Sequence, residues 1–256
     1  MALSFNWRSR GKAALTHVAC SAIVAVAAAA LVFLLWYPWP YTALAGGAKL
    51  FLLITGVDVV MGPVITFAIF DRRKPWAELR RDLAIVVLLQ LAALCFGVYT
   101  MYVARPVALA LENNRFRVVT ANAVALEELP QAVAGLQQLS NRGPLIIRTE
   151  SPTEAGEMLD SIEKALAGAD LGTRPKYWRP WDAQARKDTL AAGKPISDLR
   201  VRYTARAAEM DAAIERTGKP AQQLRYLPIL SRFEPWIALI DASTGDIVGY
   251  APFDAY

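Results

Sequence analysis

The sequence predicts a membrane protein in which three N-terminal transmembrane helices are followed by an α+β soluble domain with a small antiparallel sheet. Two observations carry that prediction. Three long apolar runs, Ala13 to Tyr37, Lys49 to Phe70 and Leu83 to Val103, fall within the first 103 of the 256 residues, and the other 153 hold none. Each run approaches the ~20 residues that a helix rising 1.5 Å per residue needs to cross a ~30 Å hydrocarbon core. The remainder mixes short β-branched runs with amphipathic helical stretches between Gly- and Pro-containing breaks, the pattern of a small α+β domain. The expected division is therefore a membrane part over residues 1–103 and a soluble part over 104–256.

The charges divide along the same line. Residues 1–103 carry nine Lys/Arg against four Asp/Glu, and residues 104–256 carry nineteen of each. The whole net charge of +5 thus belongs to the membrane half. The pI near 9.3 is no argument for nucleic acid, which needs a basic face on the soluble part.

Within the membrane half the cations set an orientation. Arg8, Arg10 and Lys12 precede the first run, Lys49 alone closes the first loop, and Arg72, Arg73, Lys74, Arg80 and Arg81 crowd the second. Cytoplasmic flanks are enriched in Lys and Arg. This pattern places the N-terminus and second loop inside, the first loop outside and, after three crossings, the soluble domain outside, in the periplasm of a bacterial inner membrane. The first run is read as a retained helix rather than a cleaved signal, because Trp36-Tyr37-Pro38 follows it in place of a small-residue cleavage site. Those aromatics, with Trp39 and Tyr41, are expected to anchor at the headgroup level.

In the soluble half, Arg105-Pro106 ends the third helix. Arg115 to Thr120 has the composition of a strand, Asn122 to Leu139 reads as mostly helical around Pro130, and Pro144 to Arg148 as a short buried strand. Ser151-Pro152-Thr153-Glu154 has the form of a capping box, and Met158, Ile162 and Leu166 then recur on one helical face. Asp182 to Leu190 and Ala205 to Arg216 are further helical stretches. Trp236 to Asp241 and Asp246 to Tyr250 flank a Gly-containing turn and predict a hairpin.

Asp58 is the outlier among the candidate site residues. It lies nine residues past Lys49, roughly 13 Å into the bilayer, where an ionised carboxylate costs about 2.5–3.5 kcal/mol on insertion scales. Gly56, Gly62 and Pro63 flank it. Glycines permit close helix contact, and the proline frees a backbone carbonyl one turn earlier. Gln90 on the third span reaches within about 6 Å of the same depth and is the expected partner. A hydrogen-bonded packing residue is the bland reading of Asp58 and contact with a partner helix the functional one. An ion path is disfavoured because the spans hold no second acid. His17, the only histidine in the chain, is expected at the interface. Cys20 and Cys95, the only cysteines, fall in apolar runs, so no disulfide staples the soluble half. That half holds no histidine or cysteine for catalysis, no G-x-S-x-G and no phosphate-binding loop, so no enzyme is expected, and His17, with only Cys20 near it, lacks the companion ligands a metal site needs. Its one aromatic and basic cluster, Tyr177-Trp178-Arg179-Pro180-Trp181, reads either as an interaction surface or as a small hydrophobic core.

Several stretches resemble the TfpX/TfpZ family of type IV pilin accessory proteins. They are Gly56-Val57-Asp58-Val59-Val60-Met61-Gly62-Pro63, Ala104-Arg105-Pro106-Val107, Arg115-Phe116-Arg117-Val118-Val119, Leu224-Arg225-Tyr226-Leu227-Pro228 and the terminal segment from Trp236 to Tyr250. Asn113-Asn114 departs from the acidic residue the family pattern would place before Arg115. The resemblance implies a non-enzymatic inner-membrane protein, without cofactor, that assists assembly of a cognate type IV pilin. It implies contact with the pilin helix in the bilayer and with its head outside, and possible contact with other pilus assembly proteins. On that reading Arg105, Arg115, Tyr177, Trp178 and Trp181 are candidate contacts on the periplasmic side. The alternative function is a periplasmic sensor signalling through a separate membrane partner.

Overall fold

The computed structural model describes residues 6–256. They form two compact units, one holding the described residues up to Leu35 with Gly47–Val103, the other Trp36–Gly46 with Ala104–Tyr256.

The first unit is three long helices. α1 (Trp7–Ala30) begins before its apolar run, because the Asn6 side chain accepts the Ser9 backbone N–H at 3.3 Å as an N-cap, and it continues as a π-helical segment over Leu31–Trp36. Following the four-residue helix α2 (Tyr41–Leu44), which belongs to the second unit, come α3 (Gly47–Ile69) and α4 (Trp76–Val103). The three helical stretches run 30, 23 and 28 residues and are long and apolar enough to cross a membrane. α3 is the central one, packed along both α1 and α4. Its last turn is capped from α1: Arg10 donates to the carbonyls of Phe67 at 3.1 Å and Ala68 at 2.5 Å and pairs with Asp71 at 3.5 Å.

The second unit is built on β1 (Pro106–Glu112), β2 (Arg115–Thr120), β3 (Leu145–Thr149), β4 (Trp178–Pro180), β5 (Lys194–Pro195), β6 (Leu224–Leu230), β7 (Trp236–Asp241) and β8 (Ile247–Ala251). They make one eight-stranded sheet in the order β4-β3-β1-β2-β6-β7-β8, with β5 beside β6. Helices α5 (Ala155–Leu166), α6 (Ala183–Ala192), α7 (Ile196–Arg202) and α8 (Ala207–Glu215) interleave with the strands. The α+β class expected from sequence holds, with a sheet larger than anticipated. It is also mixed, since β1 pairs β3 and β2 pairs β6 in parallel. Such pairings join strands far apart in sequence, which local alternation cannot reveal. The β1–β2 hairpin turns at Asn113-Asn114, and Asn113 takes φ +50°, a left-handed conformation that asparagine tolerates better than other side chains. The β7–β8 hairpin forms as expected, with Gly245 at φ +79° in its turn.

Two expected elements differ. Asn122 to Leu139 is not a helix but two 3-10 turns, Ala121–Ala123 and Leu126–Gln131, within irregular chain. Pro130 has no N–H to continue an α-helix, and Val124, Ala132 and Leu136 instead pack as a cover on β1, β2 and β3. α5 starts at Ala155 with no side-chain cap, so the Ser151 box is unused. Its apolar face is turned out, with Met158, Ile162 and Leu166 all exposed.

The core lies on both faces of the sheet. Along β7, Ile237 and Leu239 point to one side, where α7 and α8 supply Ile196, Leu199, Met210, Ala213 and Ile214. Trp236, Ala238 and Ile240 point to the other, joining Leu109, Leu111, Phe116, Leu227 and Ile229. What completes that second face is the loop between α1 and α3: Tyr41 and Leu44 are buried there. The Tyr41 ring meets Tyr250 edge-on at 6.3 Å, their hydroxyls share a hydrogen bond, and burial pushes the Tyr41 phenol above its ordinary pKa. Tyr37 is fully buried and Trp39 remains exposed beside Tyr250. Tyr41 is therefore a core side chain of the α+β unit, and Tyr37 is buried, where composition predicts headgroup anchors.

Candidate functional site

The candidate site is a largely apolar groove with polar side chains along it, within the helical unit. α1 and α4 each pack on α3 more extensively than on each other. The gap between them is a cavity of about 550 Å³ floored by Thr55, Asp58 and Thr66 of α3. Its walls come from His17, Ser21 and Val24 on one side and Val87, Gln90 and Leu91 on the other, and Ser9, Lys12 and Arg72 line it as well.

One chain of hydrogen bonds crosses all three helices. Gln90 Nε2 donates to the Asp58 carbonyl at 2.9 Å, which leaves Gln90 Oε1 to accept from His17 Nε2 at 2.5 Å. The other ring nitrogen of a neutral His17 is then an acceptor, and the Thr66 hydroxyl donates to Nδ1 at 2.6 Å. Every polar group along this chain has a partner, as hydrocarbon surroundings demand. Close approach of α3 and α4 makes it possible: a Cβ added to Gly62 would land on the Gln90 amide, and one added to Gly97 on Ile54. Gly56, by contrast, faces open space. Pro63 is buried inside α3 and leaves the Val59 carbonyl without its helical donor.

Asp58 and Gln90, paired from sequence by depth, do meet in the packed unit, through a different bond from the one expected. Gln90 holds the backbone of Asp58, not its carboxyl group. No hydrogen bond or ion pair among the described residues reaches that carboxyl, which is half-buried and faces the groove. His17, expected as an isolated interfacial residue, is instead the middle of the chain. Its depth on α1 matches that of Thr66 and Gln90 only once the three helices are packed, so spacing along one helix carried no signal.

The candidates on the second unit have different surroundings. Arg105 is buried and donates from Nε to Ser140 O at 3.2 Å and from a terminal nitrogen to Asn141 Oδ1 at 3.1 Å. Arg115 lies 3.5 Å from the Glu112 carboxylate. Tyr177 and Trp178 are buried, the Trp178 indole donating to Gly172 O at 2.8 Å, and Trp181 packs against Phe116 at 6.0 Å. The aromatic run therefore supplies core, one of its two readings.

The polar cluster at the β7–β8 turn is structural. Lys219 pairs with Asp241 at 2.5 Å, and the Ser243 hydroxyl and backbone N–H donate to the same carboxylate at 2.7 and 2.8 Å. Lys219 first and Ser243 second hold the Asp241 carboxyl well below the usual carboxylate range. A depressed folded-state pKa contributes stability that is present above the unfolded value of about 3.9 and is lost as pH falls through the folded one. The melting temperature of the α+β unit in the intact protein is accordingly expected to drop below about pH 4. Asp241→Asn should be less stable by about 1–3 kcal/mol at neutral pH and should show a smaller fall in that acid window. Parallel melting curves for the two proteins test this.

No group of three or more His, Cys, Asp or Glu side chains is placed to hold a metal ion among the described residues. Fold and site define a class: a protein with three helices long and apolar enough to cross a membrane, a groove between those helices, and an α+β unit. Comparison with known proteins makes this more particular. Residues 5–46 match the family of the fimbrial assembly protein FimB. The chain is 32% identical over 227 residues to the fimbrial assembly protein of serogroup E1 of Dichelobacter nodosus, covering 88% of each chain. The serogroup I protein of the same organism matches to the same extent. The protein of serogroups C1 and C2 is 40% identical over 116 residues, 45% of this chain and 88% of that one. No solved structure matches. The chain belongs to the fimbrial assembly protein family, which by name is not an enzyme family.

Proposed function

We propose that this protein is a non-enzymatic accessory factor for a cognate type IV pilin, and that the groove between α1 and α4 receives the apolar helix of a pilin subunit. The observation that supports this most is the Asp58 carboxyl, which faces a groove between transmembrane helices with no partner among the described residues. An unsatisfied carboxyl in hydrocarbon is costly, and a docked helix offering a donor removes that cost. Much of the groove wall, including Ala13, Ser21, Val24, Ala25, Val87 and Leu91, is apolar or small, which suits close helix packing. The distribution of Lys and Arg supports an orientation with residues 71–82 and the N-terminus in the cytoplasm and the α+β unit in the periplasm, where a pilin head lies. Other inner-membrane assembly proteins are further candidate partners.

Filling the groove tests the proposal. Val24→Trp adds bulk to a wall two helical turns from His17 and should lower surface fimbriation and pilin co-purification in detergent at least tenfold, with the protein's own level unchanged. Asp58→Leu should weaken co-purification as well. Normal fimbriation with the groove filled would sink the reading.

A further inference from the structure

α5 sits on its unit the wrong way round for a globular domain. Of its twelve residues only Ser161 is buried. The polar side binds the body of the unit, through Asp160 to Arg174 at 3.2 Å and Glu157 to Lys176 at 3.7 Å. The apolar side is left open: Met158, Leu159, Ile162 and Leu166 are 46%, 69%, 53% and 86% exposed. These four form one continuous stripe, since residues three, four, seven and eight apart share a helix face. Single exposed apolar residues are ordinary, but a contiguous stripe marks a contact surface. Beside it a cavity of about 470 Å³, lined by Met158, Ile162, Leu171 and the β1–β2 turn residues Asn113 and Asn114, offers room for an inserted side chain.

The charges around the stripe select the occupant. From residue 150 to 170 the chain carries Glu150, Glu154, Glu157, Asp160, Glu163 and Asp170 against Lys164 alone. Among the described residues no ion pair is found for Glu154 or Glu163, which flank the stripe. A helix lying on an anionic bilayer presents Lys and Arg on its polar side, the opposite of this arrangement. A second copy of the chain packed stripe to stripe would set the two acidic rims against each other. We infer that the α5 stripe docks an apolar segment of another protein that carries Lys or Arg beside its apolar residues. This surface is separate from the membrane groove and does not depend on it.

The test uses the full-length protein in its own host during fimbriation, with a photo-reactive phenylalanine in place of Leu159 or Leu166. Expected are adducts to one other protein, joined at a peptide with Lys or Arg within a few residues of the crosslink. The paired change Glu154→Lys with Glu163→Lys should cut adduct yield at least fivefold at unchanged protein level, and Glu154→Gln with Glu163→Gln should cut it less. Adducts to lipid or to a second copy of the chain, a crosslinked peptide without basic neighbours, indifference to charge reversal, or no adduct at either position would each overturn the inference.

Discussion

Produced from Ala104 onward, without the loop between the first two long helices, the α+β unit is expected to fail as a soluble fold. The physical reason is the share of its core that the loop supplies. Leu44 is fully buried and Tyr41 nearly so, both against Leu109, Phe116, Leu227 and Ala238. Truncating one such side chain to alanine costs about 2–5 kcal/mol. Losing both is comparable with the whole stability of a domain of this size, about 5–15 kcal/mol. The fragment would also expose the apolar face they cover, an aggregation surface. A chain in which residues 36–46 are joined to residue 104 through a flexible linker should recover a cooperative thermal transition, and Leu44→Ala in that chain should lower its stability by about 3 kcal/mol. Solubility, far-UV circular dichroism and thermal melts of the three proteins decide the point. A stable monomeric fold from the fragment alone would show the loop to be dispensable.

Gly62→Leu is expected to damage the helical unit where Gly56→Leu does not. Both glycines lie on α3 near Asp58, and the sequence gives no reason to separate them. In the packed unit an added Cβ at Gly62 falls on the Gln90 side chain, which bonds the Asp58 carbonyl and His17, whereas at Gly56 it meets nothing within 4 Å. Leucine at position 62 must displace Gln90, break the hydrogen bonds that join α1, α3 and α4, and push α4 away. Overpacking of this kind costs about 1–3 kcal/mol, and the lost interhelical hydrogen bonds add about 0.6 kcal/mol each. The variant should show a lower protein level in membranes and a lower unfolding midpoint in detergent. Gly56→Leu, on an open face, should leave both unchanged. Equal behaviour of the two variants would argue against the close α3–α4 contact.

Much of the architecture was legible because it is written in local patterns. Three apolar runs, the Pro106 break, the β-branched run at Arg115 and the Gly245 hairpin each depend on residues a few positions apart. The misreadings share one cause. Asn122 to Leu139 has helical composition, but Pro130 and the apolar anchors Val124 and Leu136 commit it to covering the sheet. The α5 stripe has the period of a core-facing helix, and only the ion pairs of Asp160 and Glu157 reveal which side is bound. Of the candidate site, Asp58 stood out as a carboxyl in an apolar run. The bonding around it depends on His17, 41 positions away, and Gln90, 32 away, which share a depth only once three helices are assembled.

By itself the sequence determined how many helices are long enough to cross a bilayer and which residue in the spans is out of place, because hydropathy and charge are properties of each segment. Tertiary structure alone decided that residues 36–46 complete the core of the α+β unit, that Gln90 and His17 form one chain with Thr66, and that the Asp58 carboxyl is left facing an open groove. Those outcomes depend on which faces meet when separate helices and strands pack, and a face acquires its neighbour only in three dimensions.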